Sequence, residues 1–307
     1  MSNPQPRTGL ANDPRILAGA AAGLVSAVAA LWTFNGLPLG TILFWFVPLP
    51  LFLAGLSFGL PSVFIALAVS GLALVIGSSW LGPVAVFMGT FGLPAALTLA
   101  TGLRGARVDL GMPLALLGLW PAAMLLLIGM LLGSPEAGIE ASLRQAVIES
   151  LTRMGVEAPE GMVDQIIRLK AGMLALWLAF VVVANAAIAQ RQLTRRGLAL
   201  YPALRWQQAR LPRWYPVLPA LAGLAWMLAD PAAELLPLSL CLALMVPLLL
   251  QGLAALHSRL PPAKWRTAAL TAAYVALLVF VLPAAIILVA LGLVEQFGRR
   301  NPPPANT

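Results

Sequence analysis

The chain has 307 residues, 60% of them hydrophobic and only 10% charged, with a formal net charge of +8. A soluble domain carries about 25% charged residues, so this composition excludes an ordinary water-facing surface and makes lipid the main solvent. The surplus of base excludes less, because its meaning depends on where the bases sit.

Met1 to Pro14 is polar and lacks the basic, apolar and cleavage-site succession of a secretory leader, so residues 1–15 read as a disordered cytoplasmic tail. Apolar stretches of spanning length follow: Ile16 to Phe34, Leu39 to Leu56, Pro61 to Ile76, Leu81 to Thr101 and Leu110 to Leu132. Some 20 apolar residues carry a helix across roughly 30 Å of hydrocarbon. These stretches are apolar on every face, whereas barrel strands alternate, so helices are expected. Asn35-Gly36-Leu37-Pro38 marks the first turn, and the short links predict antiparallel neighbours. Together the five spans make an N-terminal membrane bundle over residues 16–132.

Residues 133–170 are different, with acids and bases scattered from Glu136 to Lys170. Ile139, Leu143, Val147, Leu151 and Met154 draw one apolar stripe, while Glu140 with Arg144 and Glu149 with Arg153 stand four apart. The pattern predicts short amphipathic helices outside the cytoplasm, the first ending at Gly155 and the second, after Pro159, feeding the next span. Residues 171–297 then form a C-terminal bundle. Its spans are Ala171 to Ala189, Tyr215 to Ala229, Leu235 to Leu256 and Thr267 to Val294. The second of these would reach only about 22 Å. The last is one tilted span unless Pro283 divides it, and residues 298–307 are a flexible tail. The expected fold is all-α: a polytopic transmembrane bundle of about nine spans, within eight to ten.

With the N-terminus inside and nine spans, 13 basic residues, from Arg7 to Arg266, fall on the cytoplasmic side with only Asp13 and Asp109. This asymmetry follows the positive-inside rule and places the chain in a bacterial inner membrane. It needs no nucleic acid. Arg299 and Arg300 alone disagree, falling outside unless Pro283 makes a hairpin.

Signatures of chemistry are sparse. No G-x-x-x-x-G-K-[ST] loop is present, and Lys170 and Lys264 are the only lysines, so the chain has no ATPase of that kind. His257 and Cys241 are each the sole residue of their type, which rules out a multi-histidine site, a thiolate cage or a disulfide within one chain. No catalytic, cofactor-binding or metal-binding residue is expected. Asn185 and Gln251 lie inside spans, where an unpaired amide is costly, so each holds helices together or lines a cavity. Asn35, with Trp32, Trp45 and Trp80, stands near the outer ends of the first helices, to rim a pocket or anchor in the interface. Gly19-x-x-x-Gly23, Gly55-x-x-x-Gly59 and Gly129-x-x-x-Gly133 permit close helix approach. Prolines inside the apolar runs predict bent or interrupted helices, where solutes are often held. Arg205, Arg210, Arg213 and Trp214 interleave base and aromatic at the cytoplasmic boundary, a candidate contact for lipid head groups or a partner.

Pro48-Leu49-Pro50 with Leu56-Ser57-Phe58-Gly59, Leu211-Pro212-Arg213-Trp214, Leu250-Gln251-Gly252, and Leu291-Gly292-Leu293 with Arg299-Arg300 follow one another along the chain, and their order and spacing carry a likeness. On these segments the chain resembles the YybS-like predicted membrane proteins of bacteria over most of residues 16 to 300. That group is similar to the substrate-binding S components of energy-coupling factor vitamin transporters. The resemblance implies capture of a small molecule in a helical bundle, with energy supplied by separate proteins. The expected function is binding or transport of a small solute or lipid, with membrane lipids and other membrane proteins as further partners. The alternative is a structural or assembly protein that recruits partners at the membrane.

Overall fold

A computed structural model describes residues 13–104, 107–132, 136–157, 159–202, 209–231, 233–261 and 263–298. Among them the regular structure is helical, apart from a two-residue ladder pairing Leu103 with Val108 and Arg104 with Arg107. Seven segments are long and apolar enough to cross a membrane: Pro14–Phe34, Gly40–Phe58, Leu60–Gly77, Gly82–Gly102, Gly111–Met130, Gly161–Arg195 and Leu235–Arg259. The protein is therefore a polytopic, all-α membrane bundle.

The helices are α1 (Pro14–Phe34), α2 (Gly40–Phe44), α3 (Leu49–Phe58), α4 (Leu60–Gly77), α5 (Gly82–Phe87), α6 (Leu93–Gly102), α7 (Gly111–Leu132), α8 (Glu136–Arg153), α9 (Glu160–Arg195), α10 (Val217–Leu228), α11 (Leu235–Arg259), α12 (Arg266–Val279) and α13 (Val281–Phe297). Three features fill in the sequence reading, the first of them as expected. The second polar stretch and the sixth span are one helix, α9, whose 36 residues extend about 54 Å. The seventh is only 12 residues, α10, or about 18 Å. The last apolar region is two helices meeting at Phe280, whose φ of −113° and ψ of 58° leave the helical region. Pro283 accounts for the break, since its ring collides with the carbonyl four residues back, on Val279.

The chain divides into two compact units, which it enters and leaves within α7 and α9. Unit 1 comprises Met1–Leu116 with Trp177–Leu204, and unit 2 comprises Leu117–Leu176 with Arg205–Thr307.

Unit 1 is organised round α1 and α4. Gly19 lies against Ser62 and Ile65, Gly23 against Ala66 and Val69, and Gly77 against Leu31, so the two helices run parallel. A Cβ on Gly19 would stand 2.6 Å from the Ser62 carbonyl oxygen, and one on Gly23 2.5 Å from that of Ala66. The buried Ser70 hydroxyl donates to the Gly23 carbonyl across the same seam at 2.9 Å. Short links make consecutive helices antiparallel, yet the tightest seam joins alternate ones, because there the glycines let backbones touch. Gly59 reverses the chain between α3 and α4 at φ +83°, open to glycine at no steric cost. Gly55 receives Val63 and Leu99.

Unit 2 is organised round α11 and α13. Gly252 sits on the Leu288 carbonyl and Gly292 on the Leu248 carbonyl, so the helices cross with these two glycines face to face, and the Arg259–Glu295 pair beyond the crossing makes them parallel. Arg259 meets Glu295 near the C-terminal ends of both helices. The chain therefore leaves α13 at the Arg259 end of the unit, as expected for a hairpin at Pro283. At the other end of α11, Glu234 pairs with Arg168 of α9 at 3.0 Å, and Asp164 of α9 with Arg144 of α8 at 2.6 Å.

Candidate binding groove and the sealed helix breaks

Proline opens the second span at its middle. Pro48 has no amide, and the Leu49 amide bonds to Phe46 at 3.0 Å instead of reaching Trp45, which strands the Trp45 carbonyl. In lipid such a group needs a partner from elsewhere in the protein. Asn185 of α9 supplies it: its Nδ2 donates to Trp45 O at 2.7 Å and to its own helix at Val181 O at 2.8 Å. The side chain is 1% exposed, and its Oδ1 has no hydrogen-bond partner among the described residues.

Aromatic rings crowd this break. Phe44 stacks on Trp177 at 5.6 Å, Phe91 meets Phe44 edge-on at 4.8 Å, and Trp45 stands edge-on to Trp177 and Phe180. Phe91 belongs to a π-helical turn, Met88–Gly92, between α5 and α6. One extra residue in that turn shifts the register of α6, which follows it.

Between α1, α3 and the end of α9, unit 1 also holds an open-sided groove of about 400 Å³. That volume lies within the roughly 300–1,000 Å³ of ligand sites. Ala18, Ala21 and Val25 of α1 and Leu53 of α3 make apolar walls, and Gln192 and Arg196 stand at the α9 end. The groove exists because α1 presents alanine at successive turns, where leucine would fill the space.

A double turn fixes its polar end. The amide of Leu198 bonds to Leu193 O at 2.9 Å and that of Gly197 to Thr194 O at 3.3 Å, with Gly197 at φ +67°. This Schellman cap stops α9 and folds Leu198 back into the groove lining. The Leu200 amide then bonds to Leu56 O at 3.1 Å, tying the segment to α3. Arg196 is exposed, and Arg191, Arg195 and Arg196 have no carboxylate partner among the described residues.

In unit 2 the polar residues are spent on one another. The buried Gln251 accepts from the Leu211 amide at 2.8 Å and donates to Gly292 O at 2.9 Å and Gln296 Oε1 at 3.0 Å. Gln296 returns bonds to the carbonyls of Leu211 and Pro212. Glu295 takes Arg210 at 2.6 Å and Arg259 at 3.1 Å, one on each carboxylate oxygen. The non-helical Leu211 amide and the Leu211 and Pro212 carbonyls are thus paired by side chains of α11 and α13. Nearby, Tyr215 is fully buried and donates to Leu244 O at 3.0 Å, beside the Pro247 bend, and Gly118 leaves room for its hydroxyl.

Asn185 and Gln251 therefore both bridge helices. Asn35 is exposed and caps α1, its Nδ2 donating to Leu31 O at 2.8 Å. Trp32 closes the same turn by donating to Pro38 O at 2.8 Å, while Trp80 is 70% exposed. Arg210 is engaged with Glu295, whereas Arg213 and Trp214 are exposed, Trp214 tilted against Tyr215. Arg205 lies outside the described residues. The groove was missed in the sequence; its signal was the alanine spacing on α1, which reads equally well as plain packing.

A family model described as "Predicted membrane protein (DUF2232)" matches residues 24–295. No curated protein and no solved structure matches the chain.

Proposed function

The chain belongs to this family of predicted membrane proteins, and on that premise we propose that it binds an apolar or amphipathic small molecule, a lipid or a solute, in the groove of unit 1. The observation that carries the reading is the groove itself: about 400 Å³ walled by alanine and aliphatic side chains, with Gln192 and Arg196 at one end. The other breaks in the helices are closed by Asn185, Gln251 and Tyr215, so they offer a ligand no comparable opening. A binding role of this kind accords with the likeness to transporter S components, and energy for any movement of the ligand comes from separate proteins.

The membrane orientation proposed with it has the N-terminus and the C-terminus at the cytoplasmic face of a bacterial inner membrane. If α10, α12 and α13 each cross, Arg299 and Arg300 return inside. The inner side then holds 15 of the 19 basic residues and the outer side 8 of the 11 acidic ones. The placement of Glu295 beside Arg210 and Arg259 supports it.

The test is to purify the full chain in detergent and identify extractable small molecules by mass spectrometry, alongside Ala21→Phe. Ala21 is exposed, so the larger ring fills the groove without entering the core. A compound enriched with the native protein and lost from the variant supports the reading; equal recovery from both refutes it. A second reading, recruitment of a partner protein at the cytoplasmic face, draws on the exposed Arg213 and Trp214. Crosslinking in native membranes checks it, with loss of any stable neighbour expected in Arg213→Glu with Trp214→Ala.

A further inference from the structure

The charge at one end of the groove narrows what fits it. Arg196 stands at the α9 end of the lining, and Arg15 lies one turn before Ala18 on the α1 wall, exposed like Arg196. Arg191 and Arg195 precede Arg196 on the last turns of α9, Arg195 exposed like Arg191. The nearest acid in sequence, Asp13, already accepts the Arg15 amide as the cap of α1. The other end of the lining, at Val25, is apolar and more than two helical turns further along α1. A ligand complementary to this layout has a negative head and a hydrocarbon chain.

We propose that the groove is a site for one anionic phospholipid of the surrounding bilayer, an acyl chain lying along the alanine wall and the phosphate held by Arg196 and Arg15. The proposal rests on the groove reading above and adds head-group selection to it. The cap at Gly197 fixes the α9 end by backbone bonds, so the arginine is carried on a rigid stop and the head group meets a preset position. Buried methylenes hold the acyl chain whatever the head group, so selection depends on the arginines. One basic residue near an anionic surface gives about 1 kcal/mol, or roughly a fivefold preference.

The experiment titrates the full-length, detergent-solubilised protein with dioleoylphosphatidylglycerol and with dioleoylphosphatidylcholine, reading lipid adducts by native mass spectrometry. The expected result is tighter binding of the glycerol lipid by about fivefold per engaged arginine. Arg196→Gln cuts that preference about fivefold, Arg196→Lys keeps it, and Ala21→Phe abolishes binding of both lipids. Should Ala21→Phe fail to elute as a single species, Ala18→Leu blocks the same wall. Equal affinity for the two lipids, still lost in the groove-filling variant, overturns head-group selection and leaves the groove reading standing. Binding of both lipids undiminished by the groove-filling variant overturns the two together.

Discussion

In unit 1 the two seam glycines that meet backbone carbonyls, Gly19 and Gly23, both stand on α1, while Gly77 of α4 meets only the Leu31 side chain; in unit 2, α11 and α13 contribute one glycine each, and each meets the other's carbonyl. The one-sided seam is flanked by small apolar residues and leaves a groove, while the reciprocal seam ends in a polar clamp of Gln251, Gln296, Glu295 and two arginines. Close backbone approach thus serves two purposes. Where the neighbours are alanines it leaves space beside the helix, and where they are amides and ions it fastens loose backbone to the helix ends.

The sharpest break of this comparison comes at the seams. Gly252→Leu or Gly292→Leu puts a branched side chain onto a backbone carbonyl that cannot step aside, and either is expected to exceed the ~1–3 kcal/mol of ordinary overpacking. The readout is loss of monodisperse protein on size exclusion. Gly19→Ala and Gly23→Ala add one carbon at 2.6 and 2.5 Å from carbonyl oxygens and should cost less, about 1–3 kcal/mol in a denaturation midpoint. If unit 2 tolerates its substitution better than unit 1, the reciprocal seam is not the tighter one.

Removing the polar clamp is the next largest effect. Gln251→Ala strands the Leu211 amide and releases Gln296 from its partner, and is expected to cost about 1–3 kcal/mol. Glu295→Gln leaves two half-exposed arginines without their counter-charge and should cost about 1–2 kcal/mol, an effect that shrinks in high salt. In unit 1, Asn185→Leu strands only Trp45 O, and about 1–2 kcal/mol is expected from thermal unfolding in detergent.

Tyr215 and Gly118 allow a coupled test. Gly118→Ala collides with the Tyr215 hydroxyl and Pro247, and Tyr215→Phe removes part of the obstacle while losing the bond to Leu244 O. The double variant should be more stable than the two single costs add up to, by about 0.5–3 kcal/mol; strict additivity would deny the contact. Leu39 gives the smallest effect. It sits at φ +63° in the first turn, and Leu39→Asn should raise stability by up to about 1 kcal/mol.

Much of this was legible from sequence. Length and uncharged runs fix a helical membrane bundle because each amide in hydrocarbon must bond within its own helix, and that constraint is local. The same locality exposed the Asn35 turn, the stop at Gly155, and Pro283 as a place where one apolar stretch becomes two helices. Gly19 and Gly23 were readable as a contact face, though not the partner that faces them. Gly129 belonged to a similar motif, yet among the described residues nothing lies within 4 Å of a Cβ placed on it. The closest seam joins Gly252 to Gly292, 40 residues apart, where no spacing rule reaches.

What the sequence alone determined, then, is the solvent, the secondary structure and the sign of charge at each helix end, all set by residues within a few turns of one another. Only the tertiary structure decided which carbonyl Asn185 and Gln251 satisfy, that Glu295 gathers Arg210 and Arg259, and that alanines on α1 border empty space. Those outcomes depend on which helices lie side by side. In a bilayer, where every apolar face is equally content against lipid, that choice rests on small residues and buried polar atoms far apart in the chain.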